Sequence, residues 1–197
     1  MDRGIAVLGV ELDERMADIA RRHGVAVEVG AFETWDPQGR HFDLLTSGDA
    51  WGWIEPEAGV DKAAESLRPG GTIACFWTTR VLSEDVSAVL SRVYAEHAPE
   101  VSQVWDPAVN VPRVHSYRAV HFELNPAFWP AELRTYDRQH VYRTDEWVGL
   151  ASTISDHLRL GEQRLEGLLS AVGAAITERG GAVHAHEETY ALLVQRV

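Results

Sequence analysis

Val7-Leu8-Gly9-Val10-Glu11-Leu12-Asp13-Glu14-Arg15-Met16 passes from an apolar run to a helix start with hardly a residue between them. The run Ile5 to Val10 is β-branched and suits a pleated, half-buried strand. Asp13 is an N-cap type, and the helix it starts carries Met16, Ile19 and Ala20 on one face. Gly24 ends that helix, Val25 to Val29 alternates as a second strand, and Gly30 closes it. Strands alternating with helices predict a parallel sheet with helices on both faces.

The same alternation continues downstream. After the polar turn Asp36-Pro37-Gln38-Gly39-Arg40, Phe42 to Ser47 reads as a strand and about Ala58 to Leu67 as a helix. Pro69-Gly70-Gly71 then turns into a strand over Thr72 to Trp77, where Cys75 reads as a small buried hydrophobe. Beyond Trp77 the pattern changes: Ser83 caps a helix with Val86, Val89, Leu90 and Val93 inward, and the Pro- and Trp-rich stretch from Pro99 to Pro130 predicts an irregular cap. Arg134 to Tyr142 predicts a strand and Thr144 caps a helix to about Leu160. Glu162 to Arg179 forms another, with Leu165, Leu168, Leu169, Val172 and Ile176 on its stripe, and Gly180-Gly181 stops it. Val183 to Glu187 and Thr189 to Gln195 alternate as two short strands or one bent strand.

Composition narrows the function classes. The 197 residues are 45% hydrophobic and 24% charged, enough for one domain or one domain with an insertion. A net charge of -12 with no Lys/Arg cluster opposes the counterion-release term of nucleic-acid binding, so no nucleic-acid partner is expected. Cys75 is the only cysteine, which rules out an intrachain disulfide and fits a reducing cytoplasm. No apolar stretch is long enough to span a bilayer, so no membrane partner is expected. No Ser-His-Asp spacing or nucleophile elbow supports hydrolase chemistry.

The opening stretch resembles the second strand of class I S-adenosyl-L-methionine (SAM)-dependent methyltransferases, with Glu11 where an acidic residue holds the ribose hydroxyls. Gly30-Ala31-Phe32-Glu33-Thr34-Trp35 falls where such enzymes line the adenine pocket. Thr46-Ser47-Gly48-Asp49-Ala50-Trp51-Gly52-Trp53 is similar to the Gln-Ala-x-His-Trp signature of the subgroup near trans-aconitate methyltransferase, with Asp49 for the Gln and Gly52 for the His. Leu67 to Thr72 resembles the Pro-Gly-Gly turn before the fifth strand, and Tyr142 to His157 that subgroup's C-terminal half. The acidic strand end alone would equally suit an NAD-binding fold, but an NAD-dependent oxidoreductase needs a donor-rich phosphate loop, which this chain lacks.

The resemblance implies an α/β, Rossmann-like, doubly wound and mostly parallel sheet. Residues 1–80 would be the SAM-binding half, 81–133 a helix with an irregular cap, and 134–197 the strands and helices that complete the sheet. It implies SAM as cofactor and methyl transfer to a small-molecule acceptor. Glu11 would bind ribose, Leu12 and Phe32 would flank adenine beside Ala31, and Ser47 and Asp49 would border the methionine portion or the acceptor, with Trp51 and Trp77 close by. Asp49 is an acid–base candidate at a strand's carboxyl end, with an N-cap or turn role as the plain alternative. His157 is a general-base candidate whose plain alternative is a helix-end histidine on the macrodipole.

In the family a first strand, a Gly-x-Gly-x-Gly turn and a helix stand before the segment that begins here, and Asp2-Arg3-Gly4 resembles the tail of that helix. That strand lies mid-sheet, so the expectation is an N-terminally truncated domain with two unsatisfied edges. The flanking strands would pair directly, a second copy would fill the gap as a homodimer, or the fold would be marginal. The competing function is a non-catalytic remnant serving self-association or a protein partner. His184, His186, Glu187 and Glu188 invite a metal reading, but a polar edge strand gives the same pattern and no third ligand is evident, so no metal site is assigned.

Overall fold

In the computed structural model, residues 4–101 and 119–197 are described. The β-branched opening forms β1 (Leu8–Glu11), and Asp13 caps α1 (Glu14–Arg22) with an Oδ1 that accepts the Arg15 amide at 2.8 Å. Parallel β2 (Ala26–Val29) pairs with β1, Leu8 opposite Ala26 and Glu11 opposite Val29. β3 (Phe42–Gly48), α2 (Pro56–Ser66) and β4 (Leu67–Leu82) come next, and β3 pairs with β4 in parallel from Leu44 opposite Thr72 to Gly48 opposite Phe76. Gly71 is required at the turn into this pairing. A Cβ there would stand 2.9 Å from the Arg68 carbonyl and 3.0 Å from that of Phe42.

The chain continues through α3 (Glu84–His97), β5 (Glu132–Arg143), α4 (Thr144–Ser152), α5 (Ser155–Leu158), α6 (Glu162–Thr177) and β6 (Ala182–Gln195). It divides into two units: Met1–Trp77 with His115–Arg134 and Ala191–Val197, and Thr78–Val114 with Thr135–Tyr190. The first has a core of Trp51, Val60, Leu67, Ile73, Cys75 and Trp77 with Phe122, Phe128, Leu192 and Val194. Leu82, Leu90, Tyr94, Trp147, Leu168, Val172, Ile176, Val183 and Ala185 form the core of the second.

The single parallel sheet of the sequence reading is corrected. The described residues form a two-stranded sheet, β1-β2, and a separate four-stranded one in the order β3-β4-β6-β5. The latter is mixed. Rising numbers on β4 meet falling numbers on β6: the Gly70 amide bonds to the Arg196 carbonyl at 3.0 Å, whereas the Thr78 and Thr189 hydroxyls meet at 3.0 Å. Among the described residues no strand joins β1 to β3, and direct pairing of these two does not occur. Ile5 and Val7 before β1 and Leu44 on β3 are more than half exposed.

Three local departures have plain causes. The helix expected from Thr144 to Leu160 breaks after Ser152, where Ser152 Oγ and Thr153 Oγ1 donate back to the carbonyls of Gly149 and Leu150 at 2.7 and 2.8 Å and compete with the helical ladder. Its N-cap is Arg143, whose amide donates to Glu146 Oε2 at 2.8 Å, and not Thr144. β6 is one strand that changes its buried face, from Val183, Ala185 and Glu187 to Tyr190, Leu192 and Val194. Of the expected cap, residues 102–118 lie outside the described residues; 119–123 are helical, and the Trp129 amide bonds to the Gln195 carbonyl at 2.9 Å.

Leu168 is fully buried on the inward face of α6. Leu168→Ala is expected to lower unfolding free energy by about 2–5 kcal/mol, read from the shift of a urea transition, with the far-UV spectrum preserved.

Candidate functional site

In the first unit a rim forms at the carboxyl ends of β1, β2 and β3, where open α/β sheets bind their ligands. Glu11 ends β1. Its Oε1 accepts the Asp13 amide at 2.9 Å, and its carbonyl accepts the Gly30 amide at 3.0 Å, which ties β1 to the turn after β2. Oε2 makes no hydrogen bond among the described residues. Leu12, next along, is 73% exposed and offers an open apolar surface beside the carboxylate.

Ala31 leads into a 3₁₀ turn, Phe32–Thr34. The Phe32 ring lies 6.0 Å from that of Trp51, and Glu33 Oε1 accepts the Glu55 amide at 2.9 Å, so the segments after β2 and β3 touch. Ser47 Oγ is buried without a hydrogen-bond partner among the described residues. Asp49 takes a left-handed backbone (φ 52°), which aspartate tolerates better than most residues, and its amide donates to the Phe76 carbonyl at 2.8 Å. Glu11, Leu12, Ala31, Phe32, Ser47 and Asp49 thus stand at or just beyond these strand ends, with Phe32–Trp51 and Glu33–Glu55 as the contacts that join the segments after β2 and β3. Trp51 is buried, stacked 5.4 Å from Phe122, and Trp77 is buried in the same core.

His157 belongs to the second unit and is fully buried. Its Nδ1 lies 2.6 Å from the Ala151 carbonyl and its ring 5.4 Å from Tyr94. Burial pushes its pKa below the usual imidazole value, with the Ala151 bond opposing, and keeps it neutral at pH 7. Its contacts are with the unit's own core.

Two clusters escaped the sequence reading. Glu28 on β2 receives Arg40 at 2.7 and 2.9 Å and the Trp35 indole at 2.6 Å, which pins the loop after β2. The Arg40 hydrogen bonds, then that of Trp35, lower its pKa to about 2. In the second unit Glu187 is 4% exposed at the floor of a hollow of about 490 Å³. Arg80 Nε donates to it at 3.1 Å, Arg138 Nη2 at 2.5 Å, and the Tyr142 hydroxyl completes the set. Burial alone would raise the pKa of Glu187; hydrogen bonds from Tyr142 and Arg138 and the charges of Arg80 and Arg138 outweigh it and hold the group below its ordinary value. Burial raises the Tyr142 pKa, so its hydroxyl stays a donor.

Residues 1–75 match the family described as Methyltransferase domain. That match takes in the segment from β1 to β4 and makes it similar to that family. An uncharacterized methyltransferase of Mycobacterium tuberculosis H37Rv and one of Mycobacterium bovis are each 30% identical over 83 residues, 41% of this chain. That match spans 34% of each relative, about a third of their length. A solved structure of a candidate type II methyltransferase from Anaeromyxobacter dehalogenans aligns with 99% of this chain and 81% of that one, at a TM-score of 0.57 and 20% identity. The chain therefore shares the α/β fold of that structure. No described helix is long and apolar enough to cross a membrane.

Because its folded pKa is depressed, Glu187 contributes stability that is present above its ordinary value near 4.5 and is lost as pH falls through the folded value. In Glu187→Gln, unfolding free energy is expected to depend less steeply on pH between about 5 and 3 than in the parent chain, as urea titrations at stepped pH would read.

Proposed function

We propose that this chain takes part in methyl transfer from SAM to a small-molecule acceptor, with the rim at Glu11 holding the nucleoside end of the cofactor. The observation that carries the reading is the carboxylate of Glu11: it ends a parallel strand within the methyltransferase segment and keeps Oε2 unpaired among the described residues. Two vicinal ribose hydroxyls are donors, and an ionised carboxylate is acceptor-only. The exposed Leu12 and half-buried Phe32 suit an adenine ring with the Ala31 backbone beside it. Ser47 Oγ, buried without a partner, would gain one from a polar group of the methionine portion.

SAM supplies an electrophilic methyl on a sulfonium sulfur. The protein's own part is to position the acceptor and exclude water, with the Asp49 carboxylate placed to orient or accept an acceptor proton. The subgroup near trans-aconitate methyltransferase belongs to this reading as well. His157 enters only as a residue that fixes the second unit's packing.

Among the described residues the outer edges of β1 and β3 are unpaired, which favours a second, compatible reading: a second copy of the chain pairs with these edges. Sedimentation over a hundredfold concentration range should then show a dimer that dissociates only as secondary structure is lost. A folded monomer at all concentrations would remove that reading.

Calorimetric titration with S-adenosylhomocysteine tests the main one. Micromolar binding is expected, weakened roughly 10- to 100-fold in Glu11→Ala, since a hydrogen bond to a charged group is worth about 1.5–3 kcal/mol. No heat from a chain shown to be folded, or affinity unchanged by the substitution, would overturn it.

A further inference from the structure

β6 places His186 and Glu188 on the same side, since alternate residues of a strand share a face. β5 brings a third group to them. His186 Nε2 lies 3.2 Å from Asp137 Oδ1 and 3.7 Å from Glu188 Oε1, and all three atoms fall within 4.8 Å of one another. We infer that Asp137, His186 and Glu188 form a binding site for a divalent transition-metal ion of the Zn²⁺ type, which clips β5 to β6. Neither the methyltransferase segment nor the rim at Glu11 includes any of these residues, so the site stands independently of the proposed function.

Geometry and chemistry both fit. Two donors at about 2.0–2.2 Å from one ion stand roughly 3–3.6 Å apart, so the present separations close on an ion with small side-chain rotations. Supporting groups hold two of the three ligands. The Gln139 amide lies 3.0 Å from His186 Nδ1, and with its oxygen turned to that atom it accepts Nδ1–H and leaves the Nε2 lone pair facing the carboxylates. The Tyr190 hydroxyl donates to Glu188 Oε2 and orients that carboxylate. One imidazole with two carboxylates suits Zn²⁺, Co²⁺ or Mn²⁺ better than the all-oxygen preference of Mg²⁺ or Ca²⁺. Asp137 is the most exposed of the three, with 60% of its side chain in solvent, which leaves room for water to complete the coordination. His184, the other histidine of the strand, is not in the cluster.

A protonated His186 between two carboxylates would give the same distances without an ion, and the experiment separates the two. The full chain is freed of metal by chelator and dialysis, shown to be folded by circular dichroism, and titrated with Zn²⁺ against a chromophoric competitor; Co²⁺ absorption reports the ligand field. One equivalent is expected to bind with micromolar or tighter affinity. His186→Ala and Asp137→Asn should each weaken binding at least tenfold, Gln139→Leu by about tenfold, and His184→Ala should change it less than twofold. Absence of stoichiometric binding by the folded chain would overturn the site, and so would binding that survives His186→Ala or is lost in His184→Ala.

Discussion

The antiparallel pairing of β4 with β6 is the interaction on which the rest depends. Both hydrophobic clusters draw on these two strands: Ile73, Cys75, Trp77, Leu192 and Val194 serve the first unit, and Leu82, Val183 and Ala185 the second. Backbone bonds such as Arg196 to Gly71 at 2.8 Å fix the register, and a one-residue slip would turn every one of these side chains to the wrong face. The parallel strand β3 then has a template, and its carboxyl end delivers Ser47 and Asp49 to the rim.

Charge is handled differently in the two units. In the first unit Glu11 Oε2 has no hydrogen-bond partner among the described residues, while Glu28 is engaged by Arg40 and Trp35 and acts as a brace. In the second unit the buried carboxylate of Glu187 is surrounded by two guanidiniums and a phenol, because a carboxylate removed from water must be matched by donors. Residues on the opposite side of the same strand, His186 and Glu188, meet Asp137. One β-strand thus presents a neutralised network on one face and a ligand-like set on the other.

Periodicity made most of the elements legible, although α1 buries Ala17 and leaves Met16 and Ile19 of its apolar face exposed. α1 starts at the Asp13 cap that its spacing predicts. The break after Ser152 was less visible, since its cause is a pair of hydroxyls that also occur within helices. β6 read equally as two short strands or one bent strand because its buried face changes between Glu187 and Tyr190; it is one strand. The mixed character of the larger sheet was not legible, because antiparallel pairing of β4 with β6 joins residues more than a hundred positions apart. That Glu11, Ala31, Ser47 and Asp49 stand at or just beyond strand ends was legible from the same periodicity. The environment of Glu187 and the approach of Asp137 to His186 were not legible: Arg80 lies 107 residues from Glu187 in sequence and Arg138 lies 49, and no local pattern links such positions.

The most direct test of the rim's role is an amide NMR titration of the isotopically labelled chain with S-adenosylhomocysteine. Shifts are expected to concentrate at Glu11, Leu12, Gly30, Ala31, Phe32, Ser47 and Asp49, the residues of the rim. Shifts confined to Tyr142, Glu187 and Thr189 in the second unit's hollow, with the rim unmoved, would contradict it.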